Sequence, residues 1–256
     1  MVGRAVGLTV AVDWSGDARA EAVPHPKLWI AHAADGELIS LAATSRRGAV
    51  AEILRAAERH GDELVAGLDF SFAYPAWFMA ELGCATGPEL WDRTDGLDAA
   101  RPPFYGAKGS TAPGPDRRYR ATERRLREQG LRCGSTFQVR GPGSVGTGTL
   151  RGLPHLAALA RAGLRVWPFD ARPGPVVAEV YPRMFTGPVV KSRADARAAA
   201  WAGAGIAAPR HLAAAARASE DAFDAALTAA VLSRGRPWSS GELPAIAAVE
   251  GWALGA

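Results

Sequence analysis

Gly7-Leu-Thr-Val-Ala-Val-Asp13-Trp-Ser-Gly16 is a run of β-branched and apolar residues that stops at a carboxylate. It lacks polar alternation, so it predicts a first strand buried on both faces within a central sheet. Period 2 places Leu8, Val10 and Val12 on one face and Thr9, Ala11 and Asp13 on the other. Taken alone, Asp13 has two readings. It opens a turn with Ser15 and Gly16, or it stands where the end of a sheet meets a crevice. The choice depends on the other acids of the chain.

Working outward, Gly16, Pro24 and Pro26 make a turn-rich connection to a second strand over 28–33. Asp35-Gly36 predicts a hairpin turn and residues 37–43 a third strand, so the chain should begin with three antiparallel strands. Val50, Ile53, Leu54 and Ala57 fall at helical spacing and predict a helix over 48–60, closed by Gly61. That helix leads to Glu63-Leu-Val-Ala-Gly-Leu-Asp69-Phe70, a second buried run with an acid near its end. A helical crossover allows this strand to lie parallel to the first. Further helices are expected over about 150–161, 192–203, 209–216 and 219–234, with strands over 164–169 and 176–181. Ser192 and Asp195 approximate a capping box for the second of these helices. The fold class is therefore α/β, a mixed sheet of hairpin and parallel strands flanked by helices.

Between about 71 and 149 the regular pattern fails. Tyr74, Pro75, Trp77, Phe78 and Trp91 are expected to cover the edge of the site, and Pro102, Pro103, Pro113 and Pro115 break the chain. Asp116 is expected to cap an Arg-rich helix ending at Gly130. The stretch is too long for a structureless loop, so it reads as a lid or binding element inserted into a single domain spanning 1–256. It is also the basic part of the chain. The net charge is +4, yet residues 101–140 hold ten Arg and Lys against Asp116, Glu123 and Glu128. Such a segment suits a polyanionic partner, with Arg117, Arg118, Arg124, Arg125 and the more distant Lys191 as candidate nucleic-acid contacts. A solvated Arg-rich helix face is the alternative.

At 256 residues, with 48% hydrophobic and 22% charged residues, the composition is that of a globular domain with a full core. No apolar run reaches the length of a membrane span. Arg4 interrupts the start and a strand follows at once, so no secretory leader is expected and a cytoplasmic location is the default. Cys84 and Cys133 form no C-x-x-C pair, and the five histidines show no H-x-x-x-H spacing, so a zinc site is not expected. Gly141-Pro-Gly-Ser-Val-Gly146-Thr-Gly-Thr149 lacks the Lys-Ser/Thr pair of a P-loop. It reads as a flexible turn, or as a backbone nest for an anion.

Ser219 and Glu220-Asp221 give the last helix an N-cap and a favourable first turn. Those roles do not account for Asp224. It shares a stripe with Leu227, Thr228 and Val231, and a carboxylate turned inward costs several kcal/mol, on the order of a whole core substitution, unless paired or coordinated. Asp13, Asp69 and Glu179 on apolar strands, with Asp221 and Asp224 on this helix, thus form an acidic constellation. Oxygen-seeking Mg²⁺ or Mn²⁺ would satisfy it, and two such ions about 4 Å apart are a standard arrangement for phosphodiester cleavage.

The order of elements resembles the RNase H-like superfamily, in particular its RuvC-like resolvase branch. Ala178-Glu-Val-Tyr-Pro182 resembles that branch's last strand, and Ser219-Glu-Asp-Ala-Phe-Asp-Ala-Ala-Leu227 resembles its D-x-x-D helix. More narrowly, Val12-Asp-Trp-Ser-Gly16, Gly67-Leu-Asp-Phe70, Trp167-Pro-Phe-Asp170 and Glu179-Val-Tyr-Pro182 resemble a family of predicted RNase H-like nucleases, domain of unknown function 429. The resemblance covers nearly the whole chain. It implies that Asp13 bridges two Mg²⁺ or Mn²⁺ ions, that Asp69 binds one and Asp224 the other, and that Asp221 or Glu179 assists. Many resolvases carry Glu where this chain has Asp69.

The resulting expectation is a metal-dependent nuclease acting on structured or single-stranded DNA or RNA. One alternative is a non-catalytic nucleic-acid-binding module that keeps the fold. Another is an actin-like-fold phosphotransferase, against which stands the lack of glycines in Asp69-Phe-Ser-Phe72.

Overall fold

The chain runs β1 (Leu8–Asp13), β2 (His25–Ala34), β3 (Glu37–Thr44), α1 (Arg46–His60), β4 (Leu64–Leu68), α2 (Ala76–Glu81) and α3 (Gly87–Trp91). It continues with α4 (Pro115–Arg118), α5 (Ala121–Glu128), α6 (Val145–Arg161), β5 (Arg165–Trp167) and β6 (Val176–Glu179). Last come α7 (Arg183–Thr186), α8 (Ala194–Ala204), α9 (Arg210–Ala218), α10 (Glu220–Ser233) and α11 (Ala247–Glu250). This is a computed structural model, and it describes residues 7–141, 144–235 and 243–256. Arg4 and Pro142-Gly143, which bear on the expected absence of a leader and on the Gly-rich stretch, lie outside the described residues.

Six strands form one mixed sheet in the order β3-β2-β1-β4-β6-β5. β1 pairs antiparallel with β2 and parallel with β4, and β6 lies parallel between β4 and β5. The α/β class and the parallel crossover are as the sequence predicts. Asp35 and Gly36 take φ of 48° and 82°, the left-handed pair that a tight hairpin requires. In β1 the expected alternation holds. Leu8, Val10 and Val12 pack with Ile53 of α1 and Leu153 and Leu156 of α6, while Ala11 packs with Phe223 and Leu227 of α10 on the other face.

The connection after β1 is fixed by one interior cation. Arg46 is 2% exposed, donates to the carbonyls of Ser15 and Asp17 at 2.8 Å each, and pairs with Glu21 at 2.8 Å. It holds the backbone just beyond Asp13, so the strand end is rigid where the site begins.

Residues 71–149 are not an appendage. Tyr74 stacks on Phe137 at 5.4 Å, Phe78 meets Phe137 edge-on at 5.2 Å, and these rings join the core beneath the sheet. Three expectations here are corrected. The Arg-rich helix is two helices, α4 and α5, separated at Tyr119 and Arg120, and Gly114 rather than Asp116 stands at the N-cap of α4. The capping box at Ser192 does not form, because α8 starts after Arg193 and Asp195 pairs with that arginine. Within the Gly-rich stretch, Val145–Thr149 is no flexible turn but the first part of α6. Gly146 and Gly152 of this helix serve close packing. A Cβ at Gly146 would lie 2.4 Å from the Thr136 carbonyl, and one at Gly152 would lie 2.5 Å from the Phe70 ring.

α10 crosses β1, β2 and β3, while α7, α8 and α9 pack against it. It is therefore buried nearly all round, Ala222 to Ala230 without a break. The single inward stripe predicted from the sequence is too narrow, because α7, α8 and α9 cover the outer face as well.

Candidate active site at the carboxyl ends of β1 and β4

Asp13 ends β1, and Asp69 follows the last residue of the adjacent parallel strand β4. The Asp69 amide donates to the Val12 carbonyl at 3.1 Å, which locks the two strand ends together. Both carboxylates leave the sheet on the α10 side, as their parity with Ala11 and Gly67 requires. From α10, Asp224 comes to meet them, with Asp221 one turn earlier at the N-terminal end. Ser219 caps that helix by accepting from the Ala222 amide at 3.1 Å. The crevice beyond the carboxyl ends of parallel strands is where open α/β sheets place ligands.

The electrostatics record this convergence. Burial raises the carboxyl of Asp13 well above its ordinary value, and the charges of Asp69, Asp224 and Asp221 raise it further. Asp69 is pushed up to about 8, first by burial and then by Asp224, although a hydrogen bond with Asp13 opposes the rise. Burial also raises Asp224 and Asp221. Carboxyls this close share protons or need a counter-charge.

The counter-charge present is Lys191. Its Nζ bonds Asp224 Oδ2, while Asp224 Oδ1 is buried with no hydrogen-bond partner. One oxygen of a carboxylate that is 5% exposed is thus left over. As they stand, no three His, Cys, Asp or Glu side chains among the described residues form a metal-holding group. The chemistry of the set nevertheless fits a hard divalent cation: carboxylate oxygens only, mutually repelling, one of them orphaned. Asp13, Asp69 and Asp224, with the half-buried Asp221 beside them, are the residues that could hold it.

Glu179 has a partner of its own, although it lines the same cavity as Asp69 and its charge also raises the Asp69 carboxyl. β6 sets Glu179 beside Leu68 of β4, so its side chain leaves the face opposite to Asp69. There it pairs with Arg120, whose Nη1 donates to Oε2 at 2.9 Å, and it accepts from the Phe72 amide at 3.0 Å. Burial raises the carboxyl of Glu179 and the Arg120 guanidinium opposes that. Arg120 is wholly buried and also binds Glu123 and the Glu250 carbonyl. Of the ten basic residues at 101–140, this one serves the interior rather than a polyanion.

The other candidate basic residues are placed differently. Arg117 lies 3.9 Å over the Trp77 ring and pairs with Glu81 at 3.0 Å. Arg118 donates to the Pro113 carbonyl, Arg124 to the Tyr119 carbonyl, and Arg125 approaches Glu128 at 4.0 Å. Arg117 and Arg125 are more than half exposed. Leu126 of the same helix lines a cavity of about 130 Å³ that Asp69, Ser71, Cys133 and Tyr181 also line. The basic helix α5 therefore borders the acidic crevice. Both cysteines are buried and free, and burial pushes the Cys133 thiol up to about 11.

Two features escape sequence reading. Arg120 is one of many arginines in its segment, and nothing local marks it as interior. Lys191 is one of only three lysines in the chain, a weak signal that does not reveal its carboxylate partner. Compared with known proteins, the chain matches no family model, no curated protein and no solved structure.

Proposed function

We propose that the protein is a divalent-metal-dependent nuclease of RNase H-like fold, hydrolysing phosphodiester bonds in structured or single-stranded nucleic acid. The observation that carries this reading is the meeting of Asp13, Asp69 and Asp224 from two parallel strand ends and one helix, Asp13 and Asp224 buried and Asp69 partly so, repelling one another, with an orphaned oxygen on Asp224. Buried like charges cost stability unless a cation compensates them. The hairpin-first strand order and the helix with Asp221 and Asp224 support the RNase H-like resemblance. Asp13, Asp69, Asp221 and Asp224 would hold Mg²⁺ or Mn²⁺, as two ions if the resemblance extends to the ligand set. Such ions supply Lewis-acid stabilisation of charge at a reacting phosphate. The arginines of α4 and α5 would position the polyanion beside the crevice, and Glu179 would hold the wall of that crevice through Arg120 rather than touch the substrate.

A second reading, a non-catalytic nucleic-acid-binding module, is favoured by one contact: the Lys191 ammonium already neutralises part of the cluster. Titration of Mg²⁺ or Mn²⁺ against branched, duplex and single-stranded DNA and RNA separates the two. The parent should cleave at least one substrate only with metal, and Asp13→Asn should abolish cleavage while keeping the far-ultraviolet circular dichroism of the parent. Parent-like cleavage by Asp13→Asn in saturating Mn²⁺ would remove the proposal.

A further inference from the structure

The segment between α7 and α8 is built to present one ammonium to four carboxylates. Lys191 acts electrostatically on Asp13, Asp69, Asp221 and Asp224 alike. Arg183 adds to the field at Asp224, and Lys27 and His25 add to it at Asp221. Arg183 is itself engaged with the Val189 carbonyl. The backbone of Lys191 is held from below. Arg197, 6% exposed, donates to the Lys191 carbonyl, to the Arg217 carbonyl at 2.9 Å and to the Ala218 carbonyl at 3.3 Å. A single guanidinium thus ties the lysine's loop to the entry of α10, the helix that carries Asp221 and Asp224.

The side chain is held less firmly than the backbone. It is 24% exposed and bonds one oxygen of Asp224, leaving the other unpartnered. An ammonium on a four-carbon stem is a mobile point charge, unlike the planar fork of an arginine. A divalent ion carries twice its charge and takes several carboxylate oxygens at once. It would outcompete the ammonium, whose anchored backbone keeps it at the mouth of the crevice.

We propose that Lys191 is a resident counter-cation that a divalent ion displaces, and that the displaced ammonium then binds a phosphate oxygen of the nucleic acid. This rests on the metal-site reading given above. Metal loading and substrate binding would then be coupled through one side chain, and the metal-free cluster would remain partly neutralised without an ion.

The test uses the intact protein. Lys191→Met keeps the stem and removes the charge, and Lys191→Arg keeps the charge. Mn²⁺ affinity is measured by calorimetry without nucleic acid. Binding of a short DNA or RNA duplex is then measured by anisotropy in Ca²⁺, across a range of salt concentrations. Lys191→Met should bind Mn²⁺ about tenfold more tightly than the parent, while Lys191→Arg should stay near the parent. In Ca²⁺, Lys191→Met should bind the duplex more weakly, with a log–log salt slope smaller by about 1. Lys191→Gln repeats both measurements if the Met variant does not fold. Mn²⁺ binding to the parent that is no tighter in Lys191→Met overturns the displacement and leaves the metal site standing. Equal tightening in Lys191→Arg overturns it too, since charge would not be the cause. An unchanged salt slope overturns the role of the ammonium at phosphate. A parent that binds no Mn²⁺ overturns the metal-site reading itself, and the displacement with it.

Discussion

At the scale of single residues, the site is a problem of protons as much as of metals. Burial and the neighbouring carboxylates raise Asp13 well above its ordinary value and push Asp69 up to about 8. The native state therefore binds more protons than the unfolded chain between about pH 4 and about pH 8. Stability from this pair is fully present below the unfolded value and is lost as pH rises through the folded one. Each extra native proton contributes a slope of about 1.4 kcal/mol per pH unit. Glu21, lowered to about 2 by hydrogen bonds from Arg46 and His155 against its burial, acts in the opposite sense but only in acid below its ordinary range. In EDTA, the melting temperature should accordingly fall between pH 5 and pH 8. Asp69→Asn should flatten the fall. A parent whose melting temperature climbs over that range would show that the two carboxyls are not raised.

At the scale of elements, the joint between α5, β6 and α11 depends on Arg120. Its guanidinium is 0% exposed and bridges Glu123 and Glu179. Glu250 of α11 completes the joint, its carboxylate accepting from the Ala76 amide at 2.7 Å and from the Ala121 amide. Replacing a buried pair wholesale with apolar groups is often harmless, whereas removing one partner strands the other. Arg120→Met should cost about 3–5 kcal/mol in urea unfolding, because two buried carboxylates lose their cation. Adding Glu123→Gln and Glu179→Gln should restore part of that stability. By contrast, Arg124→Ala on the exposed face of α5 should stay within about 0.5 kcal/mol. Similar costs at positions 120 and 124 would mean that the joint is not held electrostatically.

At the scale of the whole molecule, charge is segregated. The basic helix α5 borders a cavity with acidic lining, where Leu126 meets Asp69 and Glu179. A polyanion would be repelled by bare carboxylates and attracted by the rim, so the two features are compatible only where a cation covers the floor. Arg117, Arg118, Arg124 and Arg125 make their internal interactions at or near the surface, in the range where ion pairs add little to stability. Replacing all four with Gln should leave the melting temperature nearly unchanged and weaken nucleic-acid binding. The log–log salt slope should shrink by about 1 for each phosphate that no longer meets an arginine, and so by up to about 4. An unchanged slope would return these residues to the role of a solvated helix face.

The sequence by itself determined what repeats over short distances. Period 2 assigned the faces of β1 and placed Asp13 with Ala11. Asp35-Gly36 specified the hairpin, Ser219 capped α10, and helical spacing turned Asp224 inward. These features depend on neighbours within a few residues, where backbone sterics and local hydrogen bonds act alone. What only the tertiary structure decided depends on partners far apart in the chain. The register of β4 against β6 sends Glu179 to the face away from Asp69, where Arg120, 59 residues earlier, receives it. Gly146 and Gly152 of α6 are explained by the carbonyl of Thr136 and the ring of Phe70, neither of which is visible from the helix's own sequence. Lys191 reaches Asp224 across 33 residues. Charge pairing has no sequence period. It is fixed by which backbones the core brings together, and the carboxylate cluster acquires its counter-cation only once α8, α9 and α10 have packed.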